Sequence, residues 1–396
     1  MSWETMKLSE CCVSIADGDH LPPPKADNGI PFVTIANINS TNQFDFSSTM
    51  FVPQEYYDKL DIKRKAQIGD VLYSVVGSFG IPVYIKENKQ FVFQRHIAIL
   101  RPNERVLPRF LYYTMLSRGF YAKADAAAIG AAQRTVSLTA LRNIEIEVPS
   151  IEYQSRIADI LSAYDDLIEN NQKQIKLLEE AAQRLYKEWF VDLRFPCHKI
   201  TPTIDGVPQG WSNGMLDDIA YESGKNEKKE RRDNYNYYLP IDCLPKQSLG
   251  YTETADISLA ESSLVSFAKD DIIFGAMRPY YHKVVVARDC GLTRSTCFVL
   301  NSRQNEFWSY LAMLMFSKDT VDYATQISVG TTMPYARWND LKQMPVIIPS
   351  KTIAEKFQCV VNPIIEKIGC LSKEIINLRQ ARDILLPKLM IGKLEV

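Results

Sequence analysis

The sequence lacks the motifs and residue groupings from which most enzyme active sites are built. Its four histidines, His20, His96, His198 and His282, are scattered over 396 residues, and none is assigned to catalysis. The eight cysteines form no CxxC pair and no paired Cys/His spacing, which argues against a zinc site. A GxxxxGK[ST] phosphate loop, an FxGxG-like methyl-donor loop and an Asn/Asp-Pro-Pro-aromatic motif are also missing. We therefore predict a chain without catalytic residues, metal or cofactor of its own.

Long apolar runs and an excess of charge of one sign are missing as well. No stretch approaches the roughly 18 apolar residues of a membrane span, and residues 1–4 do not begin a signal peptide. Lys and Arg total 46 against 47 Asp and Glu, so the net charge of −1 exerts no global attraction on nucleic acid or membranes. We expect a cytoplasmic protein with buried thiols and no membrane partner, which would meet a polyanion only through local patches.

What the chain does contain is an internal repeat with a period close to 200 residues. Ile-Gly-Ala-Ala at 129–132 matches Val-Gly-Thr-Thr at 329–332, and Val-Pro-Ser at 148–150 matches Ile-Pro-Ser at 348–350. Upstream, Arg95 falls opposite Arg294. In both copies an acidic turn leads into a short apolar strand, a helical stretch follows at 108–117 or 305–317, and a last strand ends at Pro-Ser. Each copy, at 1–150 and 196–349, is predicted to be a mixed α+β domain.

After each Pro-Ser the hydrophobic period changes from two to seven, which predicts long helices at 151–195 and 350–396. Pro363 is expected to kink the second helix or delay its start, and Pro387 to end it. Asn171 is the polar member of the seam and either fixes the register or is partly exposed. The seam of the first helix is predicted at Ile157, Leu161, Tyr164, Ile168, Asn171, Ile175, Leu178, Leu185 and Trp189. That of the second is predicted at Phe357, Val361, Ile364, Ile368, Leu371, Ile375, Leu378, Leu385 and Leu389.

Charge favours pairing of the two helices with each other. Residues 151–195 carry six basic and nine acidic side chains, whereas residues 350–396 carry eight and five. The alternative is that each helix packs separately on its own domain. The predicted fold class is α+β, with two similar domains, two long helices in an antiparallel coiled coil and a pseudo-two-fold internal repeat. Because B-DNA also has two-fold axes, such a protein can present equivalent faces to two half-sites about 34–36 Å apart.

Several local strings occur in this order along the chain. Val-Pro-Ser at 148–150 leads into Gln-Ser-Arg-Ile-Ala-Asp-Ile-Leu at 154–161, the first helix ends in Trp-Phe-Val-Asp at 189–192, and Leu-Leu-Pro-Lys-Leu occurs at 385–389. Together with the order domain, helix, domain, helix, these strings resemble the specificity subunits of type I restriction-modification systems over nearly the full length. The chain departs from that pattern where Ala354-Glu355 replaces an expected Glu-Gln.

This resemblance implies a non-catalytic subunit whose two domains are target recognition domains. Each domain would read one half of a bipartite site in double-stranded DNA. The helical spacers at 151–195 and 350–396 would set the half-site spacing and dock two methyltransferase subunits, and restriction subunits would join through the complex. S-adenosylmethionine, ATP and Mg are expected on those partner subunits.

DNA contacts are predicted at polar, basic and aromatic side chains of the two domains, because such groups reach phosphates and base edges. In the first domain they are Lys25, Ser78, Gln94, Arg95, Gln133 and Arg134. In the second domain they are Lys225, Lys228, Lys229, Arg231, Arg232, Arg278, Tyr280, Tyr281, Arg294, Thr331 and Thr332. Gln133 and Arg134 follow the small residues at 130–132, but a solvated loop is an equal alternative. The basic run at 225–232 equally fits a mixed-charge exposed helix, and tyrosines such as these two are more often core residues than base-stacking groups.

Two other function classes remain open at this point. The chain could be a non-enzymatic coiled-coil scaffold that organises protein partners without reading DNA. It could also be an autonomous methyltransferase, in which case the purified chain alone would bind the methyl donor, which we do not expect. Duplex binding measured against salt, in the presence of the methyltransferase partner, separates a DNA-reading subunit from a scaffold.

Overall fold

The computed structural model describes residues 3–20, 23–39, 41–130, 133–204 and 206–394. Contacts between residues divide the chain into two compact units. Unit 1 consists of Met1–Asp166 together with Arg379–Val396, and unit 2 consists of Leu167–Leu378. Each unit therefore contains one globular domain, part of the helix that follows it and part of the other long helix. The four-part division at 150, 195 and 349 stays a prediction.

The domain of unit 1 is built from short strands and short helices. Its strands are β1 (Glu4–Lys7), β2 (Cys12–Asp17), β3 (Ile30–Val33), β4 (Met50–Val52), β5 (Val71–Ser74), β6 (Pro82–Tyr84), β7 (Val92–Phe93), β8 (Ile97–Pro102) and β9 (Glu145–Val148). Its helices are α1 (Leu8–Cys11), α2 (Gln54–Asp58), α3 (Pro108–Leu116), α4 (Arg118–Ala127) and α5 (Leu138–Asn143). The long helix α6 (Ile151–Tyr186) follows and continues through a wider helical turn at Lys187–Val191.

The domain of unit 2 repeats this order. Its strands are β10 (Thr203–Ile204), β11 (Val207–Pro208), β12 (Ser212–Met215), β13 (Ala220–Glu222), β14 (Lys225–Glu227), β15 (Leu264–Phe267), β16 (Ile272–Gly275), β17 (Val284–Val286), β18 (Gly291–Arg294), β19 (Cys297–Ser302) and β20 (Pro345–Ile348). Its helices are α7 (Leu216–Ile219), α8 (Trp308–Met315), α9 (Lys318–Gln326) and α10 (Trp338–Leu341), and the long helix α11 (Lys351–Met390) follows. The predicted helical stretches at 108–117 and 305–317 correspond to α3 and α8.

The two domains share a frame and differ in one sheet. In both, a four-stranded antiparallel sheet has the same connectivity, β2-β8-β5-β6 in unit 1 and β13-β19-β16-β17 in unit 2. In both, a strand before this sheet pairs with the strand that precedes the long helix, as β1 with β9 and β12 with β20. We call the four-stranded sheet and this strand pair the frame. The second sheet differs, because β3 pairs with β7 in parallel whereas β15 pairs with β18 antiparallel. The variation between the domains is therefore concentrated between the first and second strands of the four-stranded sheets.

In each unit a buried aspartate orders the turn that leads into a strand of the four-stranded sheet, β5 in unit 1 and β16 in unit 2. The Asp70 carboxylate accepts two hydrogen bonds from Arg101 and one from the backbone N–H of Gln67. The Asp271 carboxylate accepts hydrogen bonds from Ser223, from Asn301 and from the backbone N–H of Ala268. Both carboxylates are thus used to order a turn. Among the residues that the structure describes, no three His, Cys, Asp or Glu side chains are grouped as metal ligands would be.

The long helices pack against each other in opposite directions in both units. In unit 1, Ile157 and Leu161 near the start of α6 share a core with Leu386 and Leu389 near the end of α11. In unit 2, the rings of Phe190 and Phe357 lie 4.8 Å apart, which joins the end of α6 to the start of α11. Every predicted seam residue is buried or half-buried. The predicted α+β fold class with its antiparallel helical pair is confirmed.

The structure corrects three expectations: the delayed start at Pro363, the end at Pro387 and the general burial of the thiols. Helix α11 neither starts late at Pro363 nor ends at Pro387, because it runs without interruption from Lys351 to Met390. Pro363 and Pro387 are both exposed, so a carbonyl that loses its intrahelical donor can bind water instead. The thiols are not uniformly buried, since Cys197, Cys290, Cys359 and Cys370 are exposed.

Candidate nucleic-acid interface

In unit 1, three segments that are far apart in the sequence meet beside the end of β5. The backbone N–H of Val75, at the end of β5, donates to the carbonyl of His96 at 2.8 Å. Two residues later, Gly77 donates to the carbonyl of Arg134 at 3.0 Å. Residues 75–80, 94–96, 129–130 and 133–135 thereby form one edge of the domain, which we call the converging edge of unit 1.

Unit 2 builds the same edge with the same hydrogen bonds. Ala276, after β16, donates from its backbone N–H to the carbonyl of Thr296 at 2.9 Å, and Arg278 donates to the carbonyl of Pro334 at 2.7 Å. The converging edge of unit 2 therefore consists of residues 276–281, 294–296 and 329–335. Because His96 and Thr296 occupy equivalent places, Arg294 corresponds to Gln94. The predicted equivalence of Arg294 with Arg95 is wrong by one residue.

A tight hairpin forms one side of each edge. Ile129 and Thr135 exchange backbone hydrogen bonds of 2.9 and 2.8 Å, and Val329 and Tyr335 do the same at 3.0 Å. The glycines that follow the first residue of each hairpin have left-handed φ values, +97° at Gly130 and +102° at Gly330. A Cβ at residue 130 would lie 2.6 Å from the carbonyl oxygen of Gln133, so glycine is needed there. Ala131 and Ala132 lie outside the described residues.

The structure brings most predicted residues of the first domain to this edge. Ser78, Arg95, Gln133 and Arg134 are exposed there, and Gln94 is half-buried. Arg134 is held by Asp125, whose carboxylate lies 3.2 Å from the guanidinium and whose backbone carbonyl accepts a second hydrogen bond. Lys25 is exposed but lies on a different segment, next to the backbone contact between Ala26 and Phe51.

In unit 2 the predicted residues fall into two groups. The first group belongs to the converging edge and consists of Arg278, Tyr280, Tyr281, Arg294, Thr331 and Thr332. The Arg278 guanidinium donates to the carbonyl of Thr332 at 3.2 Å. The rings of Tyr280 and Tyr281 are 49% and 36% exposed, with centroids 4.8 Å apart, so they do not belong to a core. Lys246 lies over the Tyr281 ring at 4.6 Å.

The basic run at 225–232 forms the second group. Lys225 lies on β14, at the edge of the sheet β14-β15-β18. Lys229 pairs with Glu261 at 3.0 Å, and Arg231 approaches Glu227 at 3.9 Å. Arg232 donates to the carbonyl of Ser258 at 3.0 Å and approaches Asp233 at 3.7 Å. Lys225 and Lys228 are exposed. Part of the positive charge is thus balanced within unit 2, as the mixed-charge alternative expects.

Sequence reasoning missed a polar cluster beside the converging edge of unit 1. Asp17 accepts a hydrogen bond from His20 at 2.6 Å and approaches Arg64 at 3.5 Å. The neighbouring Asp19 accepts a hydrogen bond from the Tyr56 hydroxyl through its side chain and from the Arg95 backbone N–H through its carbonyl. The string Asp-Gly-Asp-His at 17–20 could have signalled part of this cluster. Tyr56 and Arg64 could not be found, because only the folded chain brings them there.

In the part of the chain that the structure describes, no helix combines the length and the apolar composition that a membrane-spanning helix requires.

Comparisons with known proteins agree with the repeated architecture. The family model described as type I restriction modification DNA specificity domain matches residues 1–180. The chain is 29% identical over 309 residues to the type I restriction enzyme MjaIX specificity subunit of Methanocaldococcus jannaschii, covering 74% of this chain and 71% of that protein. It is 22% identical to the HindI specificity subunit of Haemophilus influenzae, covering 92% and 95%.

A solved structure supports the fold along the whole chain. The crystal structure of a type I restriction-modification system S subunit from M. genitalium matches with a TM-score of 0.61 at 16% identity, covering 98% of this chain and 96% of that one. The matched domain model and the sequence relatives carry the description of type I restriction-modification specificity subunits, and the solved structure shares the fold. The chain is therefore similar to that family in sequence and in fold.

Proposed function

We propose that this chain reads a bipartite sequence in double-stranded DNA, with each converging edge reading one half-site. The observation that carries the proposal is the construction of the same edge in both units from the same backbone hydrogen bonds. Each edge presents polar and basic side chains on a backbone held in place by the domain. Such groups bind phosphates and read base edges in the grooves.

The two half-sites are expected to differ, because the shared frame carries different side chains. Gln133 and Arg134 in unit 1 stand where unit 2 has Met333 and Pro334, and Gln94 stands where unit 2 has Arg294. Glutamine pairs best with adenine, whereas arginine pairs best with guanine. The difference between the edges therefore supports an asymmetric bipartite site.

The helical pair formed by α6 and α11 is proposed to set the half-site spacing and to dock two methyltransferase subunits. Within each unit the seam of this pair is buried or half-buried, which supports the proposal. The chain itself is proposed to be non-catalytic. Methyl transfer, with S-adenosylmethionine, would occur on the methyltransferase subunits, and ATP and Mg would act on restriction subunits that join the complex.

The test uses the full chain assembled with its methyltransferase partner. A library of duplexes with randomised sequence is incubated with the complex and methyl donor, and the modified adenines are mapped. We expect one bipartite site whose binding survives moderate salt and competitor DNA. Binding that disappears at moderate salt and shows no sequence preference would instead support the scaffold alternative.

Two variants connect the site to the two edges. Arg95→Ala is expected to weaken binding through unit 1, and Arg294→Ala through unit 2, each with its effect confined to one half-site. Arg118→Ala serves as the matched control, because Arg118 is exposed on α4 outside the converging edge. If Arg95→Ala and Arg294→Ala leave the recognised sequence and the affinity as they are in the control, the converging edges do not contact DNA.

A further inference from the structure

A cleft of about 240 Å³ opens beside the converging edge of unit 2. Its lining includes the buried residues Cys297, Phe298 and Val299 of β19, which we call the floor. Its rim carries the polar residues Glu222, Asn226, Ser295 and Tyr335. Ser295 and Tyr335 belong to two segments of the converging edge, and the Tyr335 hydroxyl donates to the carbonyl of Ser295 at 3.1 Å.

Glu222 and Asn226 face this cleft because the chain changes sheets between them. Glu222 ends β13 in the four-stranded sheet, and Asn226 is on β14 in the three-stranded sheet. The crossing passes through Gly224, where a Cβ would lie 2.6 Å from a Val265 methyl carbon and 2.8 Å from Val299 Cβ. Glycine therefore allows the chain to turn closely over the floor and to place a carboxylate and an amide on the same rim.

The carboxylate on the rim has no counterpart at the equivalent strand position of unit 1. Glu222 lies opposite Leu300 in the sheet, and the residue opposite Leu100 in unit 1 is Ile15. Ile15 is buried, whereas Glu222 is exposed. A residue needed to build the frame would have the same character in both units. Glu222 and Ile15 differ in character, as expected for a position that distinguishes the two half-sites.

The chemistry of the rim limits what can occupy the cleft. A carboxylate repels the phosphates of DNA, so it is tolerated at a DNA surface only where it accepts hydrogen bonds from a donor. In the grooves the bases offer such donors as exocyclic amino groups, and glutamate typically accepts from cytosine whereas asparagine pairs with adenine. Burial raises the pKa of Cys297 to about 11, so the thiol of the floor stays protonated and acts as an apolar surface.

We infer that Glu222 and Asn226 determine sequence specificity in unit 2. Their side-chain oxygens would accept a hydrogen bond from the exocyclic amino group of a cytosine or adenine at the rim of this cleft. The inference rests on the proposed reading of DNA by the converging edges and names the base chemistry that one of them selects.

The experiment compares Glu222→Ala and Glu222→Gln with the native chain, all in complex with the methyltransferase partner. At each cytosine or adenine of the mapped site other than the methylated adenines, a duplex is made with 2-pyrimidinone or purine, which lack only the amino group. The native complex should lose about tenfold in methylation rate at one position of one half-site. Glu222→Ala should be insensitive to the same replacement, and the other half-site should behave as in the native complex. The responding analogue distinguishes cytosine from adenine.

Glu253→Gln is the matched control, because Glu253 is an exposed glutamate of unit 2 outside the cleft. Asn226→Ala provides a second route should a Glu222 variant fail to fold, and it should lose discrimination at the same or the adjacent base pair. If Glu222→Ala, or Asn226→Ala in its place, keeps the native sensitivity at every position, the inference is overturned while bipartite reading stands. If the native complex recognises no bipartite site, the proposed function itself fails.

Discussion

At the scale of single residues, the most informative buried group is Glu179 on α6. Its side chain is 5% exposed, and its carboxylate accepts hydrogen bonds from the Ser248 hydroxyl and the Leu249 backbone N–H, both at 2.7 Å. Gly250 follows, and a Cβ there would lie 2.2 Å from the Ser372 hydroxyl oxygen of α11. This single carboxylate therefore orders a loop that is packed closely against both long helices within unit 2.

Removal of the Glu179 carboxylate should destabilise unit 2 through an unpaired backbone donor. Glu179→Ala leaves the buried N–H of Leu249 without its acceptor, which we expect to cost about 1–3 kcal/mol, whereas the Ser248 hydroxyl can still donate to the Gly250 carbonyl at 3.1 Å. Glu179→Gln keeps an acceptor oxygen in place and should cost clearly less. Equilibrium denaturation at neutral pH measures both values. Equal losses for the two variants would show that charge, and not the hydrogen bonds, matters at this position.

The same residue predicts a pH dependence of stability. Burial raises the pKa of the Glu179 carboxyl, although the hydrogen bonds from Ser248 and Leu249 partly oppose this shift. The folded protein then binds a proton that the unfolded chain has released. The free energy of unfolding should therefore gain a favourable contribution as pH falls through the raised pKa toward the ordinary value of 4.5. Denaturation series across this range should show a smaller contribution in Glu179→Gln, and identical slopes would contradict the assignment.

At the scale of elements, the seam between α6 and α11 is built alike in both units, except that one set of polar side chains in unit 1 is replaced by apolar side chains in unit 2. In unit 1, Arg382 and Asp165 form an ion pair of 2.6 Å with side chains only 18% exposed, and the Tyr113 hydroxyl donates to Asp165 at 2.7 Å. Their equivalents in unit 2 are Ala182, Ile365 and Met313, which are all buried. Burial lowers the pKa of Arg382, but Asp165 and Asp383 outweigh this effect and raise it overall. The Arg382 guanidinium thus remains charged.

Breaking this ion pair on one side should be costly, whereas replacing the whole set should not be. Arg382→Ala leaves Asp165 buried without its cation and is expected to lower the free energy of unfolding by about 3 kcal/mol. The triple variant Arg382→Ala, Asp165→Ile and Tyr113→Met copies the apolar set of unit 2 and should recover most of that loss. Urea denaturation of the single and triple variants provides the measurement. A triple variant no more stable than Arg382→Ala would mean that the two ends of the seam are not interchangeable.

At the scale of the whole molecule, the chain uses duplication to obtain two edges with one frame and different side chains. The buried seam extends along both long helices, so their length is available as a determinant of half-site spacing. Helix α11 contains Pro363 and Pro387 and still runs from Lys351 to Met390. Packing of the seam and water at the exposed prolines offset the lost backbone hydrogen bonds.

Insertion of one heptad into each long helix should change the spacing of the recognised half-sites without changing their sequences. Seven residues lengthen a helix by about 10 Å, which corresponds to roughly three base pairs. Insertion into both helices keeps the apolar seam in phase, whereas insertion into one helix mismatches it and serves as the folding control. Mapping of methylated adenines reads out the spacing. A well-folded double-insertion variant that selects the original spacing would show that the helices do not measure the distance.

The sequence by itself determined the repeat, the α+β class and the seam, because these depend on local periodicity. Apolar residues at heptad spacing can be satisfied only by a partner helix, and similar strings 200 residues apart must fold alike. The buried positions of Ile157, Ile175 and Phe357 agree with that pattern. The serine caps are local as well, since Ser117 and Ser317 accept hydrogen bonds from backbone N–H groups three residues later.

Only the tertiary structure decided which distant segments form the converging edges and the cleft. Gly77 meets Arg134 and Glu222 shares a rim with Tyr335 through hydrogen bonds and strand pairings that join residues about 60 to 110 positions apart. No local periodicity encodes such pairings. The one-residue difference between Arg95 and Arg294 has the same origin, because the hydrogen bonds to His96 and Thr296 define the equivalence of the two edges. Which side chains can meet a base is therefore a property of the folded domains.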